Sequence, residues 1–239
     1  MNRTRFLGTG AAASLGAASL AAVAAAAEPV PGGRQLVEPR SAFDERAFDA
    51  KLGRPAQIRQ LWENLAFKPA VLNNVKNALN GLQFGFGYAP DDAALALANH
   101  GPSSAYNFTD AVWEKYRIGD FFALRDAVGT PIVRNVFLPR RTAADGPSDP
   151  NEPTSPFQDT SIEALQARGV VFLSCHTAIE EIARGLVKGG HAPAGMSGSD
   201  VAADILTHLI PGAVVVPSMV AAIAVLQARY RYTYITVQS

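Results

Sequence analysis

The sequence predicts an α/β protein of three layers, in which an open, mostly parallel sheet of about five strands has helices on both faces. Strand-like and helical segments alternate at short intervals through the later half of the chain, as in βαβ units. The runs 170–173 and 213–216 are continuously apolar, which is typical of strands buried on both faces. Of the 239 residues, 48% are hydrophobic, enough for a core in a single domain.

The first 27 residues have the features of an export signal peptide. Arg3 and Arg5 give a positive start, a weakly apolar stretch rich in alanine follows, and small residues precede Glu28. The start resembles a twin-arginine signal, but Thr4 separates the two arginines, so Sec export stays open as an alternative. We therefore expect a periplasmic or otherwise exported protein, with no membrane span once the signal is removed.

Residues 28–60 are predicted to form an irregular N-terminal arm with one short helix at 42–51, since proline, glycine and charge dominate them. Residues 61–239 form the predicted α/β domain. Its helices are expected at 69–82, 109–116, 121–127, 162–168, 178–188, 201–209 and 220–228. Its strands are expected at 93–98, 132–138, 170–174, 213–216 and 232–237.

Cys175 is the one cysteine of the chain, and it stands where a predicted strand meets a predicted helix. A single cysteine forms no internal disulfide, so in an oxidising compartment this thiol is either buried and inert or exposed and used. The start of a helix favours a thiolate through its unpaired N–H groups and its dipole. Both interpretations of Cys175 stay open from the sequence.

Ligands of open α/β sheets bind outside the carboxyl ends of the strands. Cys175 and His176 follow one predicted strand, and Asn99, His100 and Gly101 follow another, so these residues are candidates for one site. His100 and His176 are the candidate catalytic partners of Cys175. The candidate binding residues are Asn77, Asn99, Gly101 and His191.

Several other chemistries lack sequence support. The chain contains neither a dinucleotide-binding nor a P-loop glycine motif, and one cysteine does not make a cysteine-rich zinc site. Metal binding through Cys175, His100 and His191 is a minor alternative; no metal site and no cofactor are predicted. A formal net charge of zero gives no reason to expect nucleic acid as a partner.

Several segments of the chain together resemble the DsrE/DsrF-like (YchN-like) sulfur-relay family. They are 169–175, 209–220 with its PG-x-VVVP-x-MV pattern, 74–80, 100–102 and 113–116, within a stretch of about 65–239. The resemblance implies a flavodoxin-like parallel sheet and a homo-oligomer, often a trimer or hexamer. It also implies that Cys175 stands where sulfur-carrier members bear a persulfide.

Two functions are therefore expected as alternatives. The first is a periplasmic sulfur-handling protein, with Cys175 as persulfide carrier for small sulfur species. The second is a non-catalytic oligomeric module that binds a small molecule in a pocket between subunits, lined by Asn77, Asn99, His100 and Cys175. Whether the protein is an enzyme is left open, because no complete catalytic set is visible in the sequence.

Overall fold

The computed structural model describes residues 38–139, 146, 149, 151–152, 154–155 and 158–236. The predicted signal peptide, 1–27, lies outside these described residues. The helices are α1 (Glu45–Leu52), α2 (Pro69–Asn80), α3 (Asp110–Lys115), α4 (Ile118–Phe121), α5 (Ile162–Ala167), α6 (His176–Lys188), α7 (Gly198–Thr207) and α8 (Met219–Tyr230). The strands are β1 (Ile58–Asn64), β2 (Ala93–Asn99), β3 (Val171–Cys175), β4 (Val214–Val216) and β5 (Thr233–Thr236).

The five strands form one sheet in the order β4-β3-β2-β1-β5, and every neighbouring pair is parallel. With helices on both faces, this confirms the predicted three-layer open α/β sheet. The chain moves from β1 through β2 and β3 to β4 in one direction, and β5 then returns to the other side of β1. The strand order therefore reverses between β1 and β5, the kind of position where open α/β sheets bind ligands.

Two apolar layers cover the sheet. On one face, here called the α8 face, Leu61 and Leu173 pack with Phe48 of α1 and Leu226 of α8. On the opposite face, Trp62 and Phe172 pack with α2 and α5. A third cluster, centred on Trp113, joins the segment after β2 with α3, α6 and α7.

Strand β1 is the strand that the sequence analysis does not identify. Four of its seven residues are polar or charged, although it lies between β2 and β5. The polar side chains bond near the ends of the strand: Arg59 donates to Leu52 O at 3.0 Å, and Glu63 contacts His100. The strand begins within the segment 28–60, and α1 from the same segment packs in the core.

The strand predicted at 132–138 is wrong. This segment is irregular, and its centre is held by the Asn135 side chain, which donates to Tyr106 O at 2.8 Å and Phe108 O at 3.0 Å. The expected number of strands is nevertheless correct, because β1 takes the place of this segment in the count. Residues 101–107, after β2, form a 3₁₀ segment instead of a simple turn.

Candidate functional site

A chain of buried amides crosses the carboxyl ends of three strands. Asn64 Nδ2 donates to Asn99 Oδ1 at 3.0 Å, and Asn99 Nδ2 donates to Asn107 Oδ1 at 3.1 Å. Asn107 Nδ2 continues to Leu173 O at 2.8 Å. All three asparagines are buried. Buried amides need hydrogen-bond partners, and here each amide finds its partner on a neighbouring segment, so the chain links β1, β2 and β3. Asn99, a predicted ligand-binding residue, therefore has both the oxygen and the nitrogen of its amide bonded inside the protein.

The turn after β2 brings His100 to the α8 face. Ser103 Oγ donates to Asn64 O at 2.5 Å and accepts the His100 N–H at 2.9 Å, which ties the turn to the end of β1. Gly101 has φ = +62°, a conformation that a residue with a side chain rarely adopts. Gly101 therefore shapes the turn.

His100, Glu63 and Tyr234 form a hydrogen-bonded chain across β2, β1 and β5. His100 Nε2 lies 3.0 Å from Glu63 Oε1. The Tyr234 hydroxyl donates to the other carboxylate oxygen, Glu63 Oε2. This bond, followed by burial, raises the pKa of Tyr234 above its ordinary value. The carboxylate thus accepts from both neighbours at the point where the strand order reverses.

This chain reaches solvent. The side chains of His100 and Glu63 are each 16% exposed, and Tyr234 is 40% exposed. Leu65, the second residue after Glu63, is 54% exposed. We call the row of carboxyl ends of the strands the sheet edge, and we call these four residues its open end. Polar groups and exposed apolar side chains are both present at this end.

Cys175 lies at the neighbouring strand end but is buried, with 4% of its surface exposed. It caps helix α6: its Sγ accepts the Ala178 N–H at 3.4 Å and, at the start of α8, the Met219 N–H at 3.3 Å. Burial raises the pKa of the Cys175 thiol, and these N–H bonds only partly oppose that effect. We call Asn99, Asn107, Ser174 and Cys175 the closed end of the edge.

His176 is the first residue of α6, and Glu38 lies near it. Burial raises the pKa of the Glu38 carboxyl, and the charge of His176 acts in the opposite direction. His176 follows Cys175 directly, but the hydrogen bonds to Cys175 Sγ come from backbone N–H groups. Among the described residues, neither His176 nor His100 is hydrogen-bonded to the sulfur atom.

Asn77 and His191 are not brought to this edge. Asn77 is exposed on α2, one turn before Asn80, which accepts a hydrogen bond from Arg168 near the opposite edge of the sheet. His191 follows α6, whose 13 residues span about 20 Å from Cys175. Its ring packs against Phe121. A single subunit therefore does not unite Asn77 with the other three residues of the expected pocket.

The same separation makes the three-residue metal alternative wrong, because His191 lies a helix length away from Cys175. Within the part of the chain that the structure describes, no group of three or more His, Cys, Asp or Glu side chains could hold a metal ion. Within the same part, no helix is long and apolar enough to cross a membrane.

Glu63 and Tyr234 are the polar residues of the open end that the sequence analysis does not select. Their signal is weak, because each belongs to a strand with many polar or exposed residues. Recognition of β1 would have pointed to Glu63. This carboxylate stands near the end of β1, the strand beside β2, and a carboxylate near the end of β2 is a natural partner for the imidazole of His100.

Comparisons with known proteins do not extend this account: no family model, no curated protein and no solved structure matches the chain. The resemblance to the DsrE/DsrF-like family therefore stays a prediction.

Proposed function

We propose that the protein binds a small molecule at the open end of the sheet edge, with His100 as the principal polar contact. One observation supports this proposal above all: His100 is fixed by Glu63 at 3.0 Å and remains partly exposed where the strand order reverses. The buried amide chain beneath it keeps β1 and β2 in register and so preorganises the site.

A thermal-shift experiment tests this proposal. The melting temperature is measured with a panel of small compounds that carry hydroxyl, amine, carboxylate or sulfur groups. We expect at least one compound to raise it, because a ligand that binds only the folded state stabilises that state. The shift should vanish in His100→Gln and persist in the control His208→Gln, whose histidine is bonded to Asp204 on α7. A panel without effect, or shifts indifferent to His100→Gln, would contradict the proposal.

Persulfide transfer through Cys175 is the second candidate function. Its support is that Sγ accepts backbone N–H groups at the starts of both α6 and α8, which also suit a sulfur anion. In this reaction the thiol loses its proton to a base, and its sulfur attacks the outer sulfur of thiosulfate. A new S–S bond forms while the old one breaks, and sulfite leaves with the bonding electron pair.

Mass spectrometry distinguishes this candidate from simple binding. After incubation with thiosulfate or polysulfide, a persulfide adds the mass of one sulfur atom, about 32 Da, to the peptide that contains Cys175. The adduct should be absent in Cys175→Ser. Because Cys175 is buried, we expect little adduct on the native protein, and fast stoichiometric loading would rank the carrier function first.

Export and self-association belong to the same proposal. Cell fractionation with intact-mass measurement should find the protein outside the cytoplasm without its first 27 residues. Light scattering of the purified protein should give the mass of a homo-oligomer, with a trimer or a hexamer as the expected states. A cytoplasmic full-length chain would contradict the export proposal, and a monomer would contradict self-association.

A further inference from the structure

The side-chain hydrogen-bond donors of the open end are used within the protein. The Tyr234 hydroxyl donates to Glu63 Oε2, and a neutral His100 donates its Nε2 proton to Glu63 Oε1. Glu63 in turn accepts from both sides. The side-chain atoms that remain able to bond are acceptors: the lone pair of Nδ1 in this tautomer of His100 and the oxygen of Tyr234. Among the described residues, no group is hydrogen-bonded to His100 Nδ1.

The charge and the apolar surface of the open end narrow the ligand further. The carboxylate of Glu63 repels an anion placed beside His100, since like charges at short range are unfavourable where solvent is partly excluded. Tyr234 borders the same carboxylate, and both Tyr234 and Leu65 expose apolar surface. An apolar ligand body can rest on that surface while its polar end faces the imidazole.

We propose that Glu63 and Tyr234 are positioning residues that hold His100 as a hydrogen-bond acceptor, and that the ligand is a neutral or cationic small molecule whose O–H or N–H group is attached to an apolar body. This inference rests on the proposed binding function and specifies its ligand class. It requires no second subunit and no reaction of Cys175. It also accounts for the carboxylate and the tyrosine, which binding through His100 alone does not use.

The ligand preference is tested with three probes of similar size at about pH 8, where an ordinary histidine is neutral. Phenol offers an O–H donor, anisole has the same shape without the donor, and benzoate carries a negative charge. Titrations are followed through the ¹⁵N resonances of the histidine rings, assigned with His100→Gln. We expect phenol to shift the His100 Nδ1 resonance and to bind about tenfold more tightly than anisole, the value of one hydrogen bond.

Benzoate should bind more weakly than phenol. Tighter binding of benzoate would show that His100 acts as a donor and would overturn the inference, as would failure of phenol to shift the His100 resonance. The wider thermal-shift panel judges the binding function separately. If some compounds of the panel raise the melting temperature but benzoate binds more tightly than phenol, this inference is overturned while the proposed binding function stands.

The positioning roles have their own spectroscopic readout. An imidazole N–H that is bonded to a carboxylate exchanges slowly with water and gives an observable proton resonance. We expect such a resonance for His100 in the wild type, its loss in Glu63→Ala, and at least tenfold faster exchange in Tyr234→Phe. The matched control is Tyr230→Phe, which removes a tyrosine–carboxylate bond to Asp49 elsewhere on the surface and should leave the His100 signal unchanged. Identical exchange in Glu63→Ala and the wild type would overturn the inference.

Discussion

The two ends of one sheet edge differ in how the chain covers them. At the closed end, β3 runs directly into α6, and the start of α8 adds a second N–H donor to the sulfur of Cys175. At the open end, β5 is the outermost strand of the sheet, and Tyr234 is 40% exposed. Cys175 ends β3 and His100 follows the neighbouring strand β2, yet of the two only His100 reaches solvent. Position at a strand end therefore does not decide accessibility; the connections that follow each strand do.

The amide chain should show the largest effect, because it is buried and continuous. Asn107→Ala removes the acceptor of Asn99 and the donor to Leu173 O. We expect a loss of about 2–4 kcal/mol in the free energy of unfolding, measured by urea denaturation. The control Asn77→Ala, at an exposed site on α2, should change it by less than about 0.5 kcal/mol. Equal effects at the two sites would remove the distinction between buried and surface amides.

A substitution at Asp204 tests the helices that lie beyond the closed end, because the Asp204 side chain links α7 to the end of α3. Its carboxylate accepts from the Tyr116 hydroxyl at 2.6 Å and from Lys115 Nζ at 2.9 Å. Burial alone would raise the pKa of Asp204, but these bonds outweigh burial and lower it. We expect Asp204→Asn to cost about 1–2 kcal/mol at neutral pH.

The pH dependence of the Asp204 effect has a definite sign. A lowered pKa means that the stabilisation is present above the ordinary aspartate value of about 4 and is lost as the pH falls through the folded-state pKa. The difference between the wild type and Asp204→Asn should therefore shrink in acid. A difference that grows as the pH falls would contradict the assigned bonds.

Cys175 should give a smaller effect, visible in alkali. Since burial raises its pKa, the neutral thiol stabilises the fold below about pH 8.5, and this contribution is lost as the pH rises through the folded-state value. Stability should therefore fall more steeply above about pH 9 in the wild type than in Cys175→Ala, by less than about 1.4 kcal/mol per pH unit. Parallel curves would show that the thiol is solvated.

The smallest effect belongs to the open end. Tyr234→Phe removes one bond of a partly exposed hydroxyl, and we expect the free energy of unfolding to change by less than about 0.5 kcal/mol. Ligand binding and His100 proton exchange should change at the same time. A large loss of stability would mean that Tyr234 belongs to the packed structure.

The apolar strands β3 and β4 and the helix after Cys175 could be predicted from the sequence, because continuous apolar runs and a helical apolar period report burial directly. Strand β1 could not, because its charged residues are satisfied by partners that only the fold supplies, such as His100 for Glu63. His100 could be selected because it follows a predicted strand. Glu63 and Tyr234 could not be selected, because their bonds to each other and to His100 exist only in the folded sheet. The accessibility of Cys175 depends on α8, which lies more than forty residues further along the chain.

The difference between the open and the closed end is tested most directly by labelling His100 and Cys175 in one sample. Native protein is treated briefly with diethyl pyrocarbonate and N-ethylmaleimide, digested, and quantified by mass spectrometry against protein treated in denaturant. The account predicts substantial modification of His100 in the native protein and modification of Cys175 only after denaturation. Native labelling of Cys175 at the denatured rate, or protection of His100, would contradict it.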